Sequence, residues 1–335
     1  MINSKRKYLS EFAIDFYSNR WLLYTATQLL NDGIMSSIEK EVSNNSHIYM
    51  ITKIPSFSFC PKTFSYKNDI IYGNLKYKIK GKEFTLPFKQ TFPLLDNAIE
   101  LKLANYPHRE INTFDKNGKK VRYLPANALG LREGVQLRKN EIRDLEILYI
   151  GQSFGDGTRT AHDRLKSHST LQKILADMQY SFPDDEVYIL TFEYNPYEVI
   201  NMMNGRDNSV IKDERDIERF YSILDNPLSK KQQISLIEAG LIRYFQPKYN
   251  KIYKENFPSN KHKILEECYQ LDFSGLVVQV ITEELGFSLF SDAVSPKEWH
   301  IAQIDLVSHE DRWGFFHMFS DEEKIWKHPN VISEK

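Results

Sequence analysis

Cysteine is scarce in this sequence, and long hydrophobic runs are missing. The chain of 335 residues has two cysteines, Cys60 and Cys268, which are too few and too far apart for a disulfide framework or a four-ligand zinc site. No stretch approaches the ~18 consecutive apolar residues of a membrane-spanning helix, so we expect no membrane partner. Residues 1–7 are polar and basic with no apolar stretch behind them, which predicts that there is no secretory signal. These features predict a cytoplasmic protein.

Neither sign of charge dominates the whole chain. Lys and Arg total 44 and Asp and Glu total 45, and the resulting net charge of -1 excludes the uniformly basic composition of a histone-like binder. The distribution is uneven, because residues 228–263 contain eight basic and two acidic side chains, whereas residues 264–335 contain five and fourteen. Affinity for nucleic acid would therefore have to come from a local basic patch.

The first segment, residues 1–130, is predicted to be an N-terminal α+β domain with a recognition or structural role. Apolar residues recur at helical spacing over residues 12–30, and a short β-branched run follows at residues 48–54. Residues 70–88 have the pattern of a hairpin that turns at Lys-Gly-Lys, and a second turn is predicted at Asn117-Gly118.

The middle segment, residues 131–260, alternates predicted strands with predicted helices. Its best-marked helix covers residues 230–245, where apolar side chains form one stripe, and Pro247 ends it. Residues 195–225 are polar and are interpreted as an insertion. The other predicted elements are a strand at 145–150, a helix at 170–178 and a strand at 187–192.

The last segment, residues 261–335, is predicted to be a β-rich region. Its strand candidates cover residues 276–280, 287–290, 299–306 and 313–319, and turn-forming residues separate them. The fold class predicted for the whole chain is α+β.

Four features of the middle segment have the residue types of a catalytic site. Tyr149 lies in a Tyr-Ile-Gly sequence at the end of a strand, and Arg164 precedes His168 by one helical turn. Glu238 lies beside the apolar stripe of the strongest helix, and Asn250 ends the sequence Pro-Lys-Tyr-Asn. A carboxylate beside an apolar stripe must be paired, protonated or bound to a cation, because the loss of its water is costly.

In this order, the four features resemble the GIY-YIG nuclease family over roughly residues 134–258. The resemblance implies a module with a small antiparallel sheet flanked by helices and an endonuclease that hydrolyses phosphodiester bonds in DNA, as restriction and defence nucleases do. The family's first motif is assigned to the predicted strand Gly134-Val135-Gln136-Leu137, where Gln136 stands in place of a tyrosine. This substitution leaves the identity of the general base open.

The resemblance and the residue chemistry together assign the roles in the site. Glu238 would hold Mg²⁺ or Mn²⁺, hard cations that prefer oxygen ligands. Arg164 would bind the scissile phosphate, and His168 would act as the general base or orient the attacking water. Tyr149 would position the water or act as a base, and Asn250 would bond to the phosphate or brace the site.

A nucleic-acid-binding surface is predicted from Arg159, Lys248, Lys251 and Lys254, because basic residues with interleaved aromatics can follow a phosphate backbone. RNA stays open as a substrate, and so does self-association of the chain into a homo-oligomer. Two alternatives to the nuclease are kept. One is a catalytically degenerate nucleic-acid-binding module, and the other is an interaction protein in which acidic residues 264–335 mask the basic middle.

Overall fold

The computed structural model of the chain describes residues 8–26, 28–30, 37–153, 164–165, 169–203, 214–259, 261–307 and 314–316. Strands are the main elements of this part of the chain. In chain order they are β1 (Ser10–Thr25), β2 (Ile48–Pro55), β3 (Phe57–Phe59), β4 (Ser65–Lys67), β5 (Ile70–Ile79), β6 (Lys82–Thr91), β7 (Ala98–Leu103), β8 (Glu110–Asp115), β9 (Lys120–Pro125), β10 (Asp144–Gln152), β11 (Asp185–Tyr194), β12 (Glu198–Met203), β13 (Gly275–Ile281), β14 (Ser288–Ser291), β15 (Val294–Lys297) and β16 (Trp299–Asp305).

Seven α-helices lie within the described residues, so the predicted α+β class is confirmed. They are α1 (Ser37–Asn45), α2 (Ala126–Gln136), α3 (Asn140–Arg143), α4 (Ser169–Ser181), α5 (Arg215–Asp225), α6 (Lys230–Phe245) and α7 (Glu266–Gln270). None of the described helices has the length and apolar character needed to cross a membrane.

A mixed sheet of nine strands forms the centre of the fold. Its order is β15-β14-β10-β2-β11-β1-β13-β16, and β12 pairs with the outer part of β1. Strands from all three predicted segments take part, so the expected divisions near residues 130 and 260 do not separate one sheet from another. The expected insertion at residues 195–225 contains strand β12, which joins this sheet, and helix α5.

Strand β2 has antiparallel partners on both sides, β10 on one and β11 on the other. Helix α6 packs on one face of these three strands, where Ile234 and Leu241 join the largest buried cluster. Helix α4 packs on the opposite face, where Ile174 is fully buried in a second cluster. The two helices therefore enclose a three-stranded antiparallel part of the larger sheet.

Helix α6 begins and ends where the sequence predicts. Ser229 caps it, because its hydroxyl accepts from the Gln232 backbone amide while the Gln232 side chain accepts from the Ser229 amide. Gln246 adopts a left-handed backbone with φ of 48°, and Pro247 follows. The position of residue 238 on the sheet-facing side of α6 depends on this register.

Two predicted elements of the central sheet were wrong. The helix expected over residues 12–30 is strand β1, whose residues 10–16 are buried on both faces and pair with β12 and β13. Continuous burial hides the alternation that normally marks a strand. The strand expected at Gly134-Val135-Gln136-Leu137 is the end of helix α2, which starts after Pro125. Gln136 therefore does not lie in a strand beside Tyr149.

The other predicted strands had mixed outcomes. The hairpin of β5 and β6 is confirmed, and Lys80 and Gly81 adopt positive φ at its turn. The C-terminal strand candidates at 276–280, 287–290 and 299–306 correspond to β13, β14 and β16. Of the candidate at 313–319, only residues 314–316 are described, and they are not in a strand.

Residues 56–125 form a separate pair of small sheets between β2 and α2. Strands β3 to β6 make one sheet of four, and β7 to β9 make one of three. Phe57, Leu75, Leu86 and Ile111 lie in their shared core, which is distinct from the two cores on either side of the large sheet. We call residues 56–125 the inserted region.

Candidate active site

Two tyrosines lie side by side at one end of the large sheet. Tyr49 is the second residue of β2, and Tyr149 lies near the end of the antiparallel strand β10. Tyr49 pairs directly with Gly151, and Tyr149, two residues before Gly151, lies on the same face of the sheet. The ring centroids are 6.2 Å apart.

Gly151 makes this approach of the two rings possible. A Cβ atom at position 151 would lie 2.5 Å from Cζ and Oη of Tyr49 and 2.8 Å from Cε1 of Tyr149. No side chain fits at those distances, so the glycine of the Tyr-Ile-Gly sequence is required by the Tyr49 ring.

Arg164 interacts with both tyrosines and with Glu238. Its guanidinium donates a hydrogen bond to the Tyr49 hydroxyl, and its charge also acts on Tyr149 and Glu238. The next residue, Leu165, is buried in the cluster that contains Tyr49, which fixes this part of the backbone. The structure therefore brings together three of the residues singled out from the sequence.

Glu238 reaches this group from helix α6. Its Oε2 accepts a hydrogen bond of 2.8 Å from Nε2 of Gln152, the residue after Gly151. Burial raises the pKa of Glu238 to about 7, although the Gln152 hydrogen bond and the charge of Arg164 lower it. A carboxyl group with this pKa changes its charge near neutral pH, and a nearby cation stabilises its ionised form.

The two phenols are protonated at neutral pH. Burial raises the pKa of Tyr49 above that of an ordinary phenol, and it raises the pKa of Tyr149 with a further contribution from the charge of Glu238. Arg164 lowers both pKa values, but burial outweighs it. In this state the hydroxyl groups act as hydrogen-bond donors and acceptors rather than as bases.

Asn250 has a bracing position. Its Oδ1 accepts from the Ile150 amide at 2.9 Å, and its Nδ2 donates to the Ile150 carbonyl at 2.8 Å. The neighbouring Tyr249 amide donates to the Leu148 carbonyl at 3.0 Å, so this segment runs along β10 as an added partner. Asn250 is buried, and its side chain holds the backbone that carries Tyr149 and Gly151.

The remaining predicted residues divide into two groups. His168 and Arg159 lie outside the described residues. Lys248 and Lys251 are exposed and Lys254 is half-buried. Nζ of Lys248 lies 5.5 Å from the centre of the Phe182 ring, on the same side of the sheet as α4.

Sequence reasoning missed Tyr49. The short run at residues 48–54 was recognised as a strand, but nothing local shows that it pairs with a strand that begins at Asp144. The sequence His47-Ile48-Tyr49 on a β-branched strand was the available signal. It lies far upstream of the expected motif because the inserted region and helices α2 and α3 separate the two strands.

The donor set fits a single hard cation. Among the described residues, no group of three or more His, Cys, Asp or Glu side chains is placed to hold a metal ion. Glu238 supplies one half-buried carboxylate, and Mg²⁺ typically binds one or two carboxylates while keeping several waters and taking substrate phosphate oxygens. A zinc-type cage is not formed by these residues, whereas a magnesium-type site needs no more protein ligands than Glu238.

A cavity of about 350 Å³ is lined in part by Ile234 and Ile237 of α6, the helix that carries Glu238. Ile48 also lines the cavity, and it pairs in the sheet with Gln152, the residue that bonds to Glu238. The wall combines apolar and polar side chains, among them Ile48, Phe192, Ile234, Ile237, His47 and Lys230. Burial lowers the pKa of His47, so its imidazole is neutral at pH 7.

Comparisons with known proteins give no assignment. No protein-family model, no curated protein and no solved structure matches the chain. The function therefore has to be inferred from the side chains gathered at the end of β2 and β10.

Proposed function

We propose that this protein is a metal-dependent endonuclease of the GIY-YIG type that hydrolyses phosphodiester bonds in DNA. The observation that carries the proposal is the convergence of Tyr49, Tyr149, Arg164 and Glu238 from four separate parts of the chain. Each residue type is one that phosphodiester hydrolysis uses, and their order along the chain matches the family's motifs.

The arrangement of strands supports the same interpretation. The three neighbouring strands β10, β2 and β11 are antiparallel, and helices pack on both faces, which resembles the small sheet of a GIY-YIG module. Tyr49 on the central strand takes the position of the first-motif tyrosine. The alternative of a degenerate module depended on Gln136 in that position, and Tyr49 removes this reason for it.

The side chains provide three of the functions that the reaction needs. Arg164 offers a fixed, planar charge to a non-bridging phosphate oxygen. The Tyr49 and Tyr149 hydroxyls orient the attacking water by hydrogen bonds, because burial keeps both phenols protonated. Glu238 holds the cation, and its pKa of about 7 makes it readily ionised once a cation is near.

Mg²⁺ or Mn²⁺ bound to Glu238 would supply positive charge for the phosphate and the leaving oxygen. The role of His168 as the general base, or as a residue that orients the attacking water, stays a prediction. The cavity next to α6 gives room for the nucleoside next to the reacting phosphate, with Ile48 and Phe192 as apolar walls and Lys230 as a cation in its lining.

Cleavage of plasmid DNA tests the proposal. We expect the purified protein to nick or linearise plasmid in Mg²⁺ or Mn²⁺ and not in EDTA, and we expect Glu238→Gln to be inactive. Glu255→Gln is the matched control, because this substitution removes the same charge from an exposed position. Cleavage that persists in Glu238→Gln, or absence of cleavage by the wild type with either metal, would contradict the proposal.

A further inference from the structure

The inserted region is strongly basic in a chain with almost no net charge. Residues 56–125 contain thirteen Lys and Arg and six Asp and Glu, a net charge of +7, whereas the whole chain has a net charge of -1. The region leaves the large sheet at the end of β2, and the chain returns to the sheet at the start of β10. It is therefore attached to the two strands that carry the tyrosines, at the ends away from them.

A groove of about 430 Å³ runs along this region. One wall is the outer face of β5, where Lys76 and Lys78 lie, and the other is the loop between β7 and β8, with Tyr106, His108 and Arg109. We call these five residues and the space between them the insert groove.

Tyr106 is unusual for a large aromatic residue, because 88% of it is exposed. Its ring makes an edge-to-face contact with His108, with the centroids 6.2 Å apart, and its two faces are not covered by the core of the inserted region. An exposed aromatic ring beside several cations is the arrangement that stacks an unpaired base while the cations bind the backbone.

The acidic residues of the groove are engaged in contacts that reduce their effect. Glu83 forms an ion pair of 2.9 Å with Lys76, and Asp184 accepts a hydrogen bond of 2.7 Å from the Gly81 amide. Arg109 lies 3.7 Å from Glu186 but keeps half of its side chain exposed. Lys78, Arg109 and part of Lys76 therefore present positive charge to the groove.

We propose that the insert groove binds a single strand of nucleic acid, with phosphates on Lys76, Lys78 and Arg109 and one base stacked on Tyr106. A groove of this volume has room for a single nucleotide at a time and cannot enclose a duplex. The inference rests on the proposed nuclease function for its choice of DNA. It specifies the substrate class as DNA with an unpaired segment.

The distance between the groove and the tyrosines sets the length of that segment. Ser56 lines the groove and lies seven residues after Tyr49, which corresponds to about 23 Å along an extended strand. At the axial rise of about 3.4 Å per nucleotide of a stacked strand, this equals about seven nucleotides. Strands of about ten nucleotides or more would therefore contact both places.

Binding in EDTA tests the groove without cleavage. The full-length protein is titrated with a fluorescein-labelled 20-nucleotide DNA strand and with the matching duplex, and anisotropy is followed at several salt concentrations. For the triple variant Lys76→Ala/Lys78→Ala/Arg109→Ala we expect at least tenfold weaker binding of the single strand. The slope of log K against log salt should fall by about 2, since each lost phosphate contact on a single strand removes about 0.7.

The matched control is Lys67→Ala/Lys116→Ala/Lys119→Ala, which removes the same charge from exposed positions of the inserted region outside the groove. It should bind within about threefold of the wild type. Tyr106→Ala should weaken single-strand binding about tenfold and Tyr106→Phe should not, because stacking needs the ring and not the hydroxyl. Thermal melting and circular dichroism establish that each variant is folded.

Equal binding by the groove variant and its control would overturn the inference. A silent Tyr106→Ala, or equal losses for duplex and single strand, would overturn the single-strand assignment. The proposed nuclease activity is tested separately by plasmid cleavage. If the wild type binds through the groove but cleaves no DNA with Mg²⁺ or Mn²⁺, the nuclease proposal fails and the groove inference stands. If the wild type cleaves DNA and the groove variant binds the single strand as well as the wild type does, only the groove inference fails.

Discussion

Replacing Glu238 with glutamine is expected to stabilise the protein at pH 8 and to have a much smaller effect at pH 5. Burial raises the pKa of Glu238 from 4.5 to about 7, so the folded protein holds this proton more tightly than the unfolded chain does. Between pH 4.5 and about pH 7 the folded state therefore binds more protons than the unfolded state, and the free energy of unfolding falls as pH rises. Above pH 7 both states are ionised and the loss is complete.

The size of the effect follows from the pKa change. A rise from 4.5 to about 7 corresponds to about 3 kcal/mol at about 1.4 kcal/mol per pKa unit. Glutamine has the shape of the carboxylic acid and can still bond to Gln152, so it removes the cost of the buried charge without leaving a cavity. We expect a gain of about 1–3 kcal/mol at pH 8, because Glu238 keeps some contact with solvent.

Urea unfolding in EDTA at pH 5 and pH 8 measures this difference, with Glu255→Gln as the control for loss of one exposed negative charge. Mn²⁺ supplies the second half of the test. At pH 8 it should raise the stability of the wild type by about 2.7 kcal/mol when its concentration is a hundred times Kd, and it should not stabilise Glu238→Gln. A variant that is less stable than the wild type at pH 8, or that Mn²⁺ stabilises as much as it stabilises the wild type, would refute the interpretation of Glu238 as a cation-binding carboxylate whose pKa is raised by burial.

Three further substitutions test the geometry around the tyrosines. Tyr49→Phe removes the hydroxyl that accepts from Arg164 and keeps the ring, so plasmid cleavage should fall on the order of 10²-fold while the melting temperature changes little; unchanged cleavage would exclude a role for this hydroxyl. Gly151→Ala inserts a methyl group 2.5 Å from Tyr49, and urea unfolding should show a loss of about 1–3 kcal/mol together with loss of cleavage, whereas a fully stable variant would contradict the close approach. Asn250→Ala leaves the Ile150 amide and carbonyl unbonded, so we expect a loss of about 2–4 kcal/mol in the same assay; a loss of cleavage at full stability would instead indicate direct contact with substrate.

The parts of the fold that could be predicted are those with a local signal. Helix α6 has one apolar stripe, a Ser229 cap and Pro247 at its end, and its bounds were predicted correctly. The strand that carries Tyr149 was also located, because an apolar run ends in glycine. In β1, residues 10–16 are buried on both faces, and the same apolar spacing was taken for a helix.

The position of Tyr49 could not be predicted from spacing. The sequence expectation assumed that the first strand lies shortly before the second, as in a simple hairpin, and this led to Gln136. The two strands instead pair across the intervening residues 56–143. Pairing of this kind depends on which strand edges meet in the folded sheet, and a single sequence contains no measure of it.

The connection between β2 and β10 explains how the site tolerates such an insertion. β2 leaves the site at Tyr49 and runs toward Pro55, and β10 returns from Asp144 toward Gly151, so the inserted residues join the strands at the end away from the tyrosines. Register in an ordinary hairpin is fixed by its turn, but here β2 is also held by eight paired residues of β11 on its other side. The pairing of Tyr49 with Gly151 therefore depends on the sheet and not on the connection. This arrangement allows a basic region to be attached to the strands of the candidate site without moving the side chains gathered there.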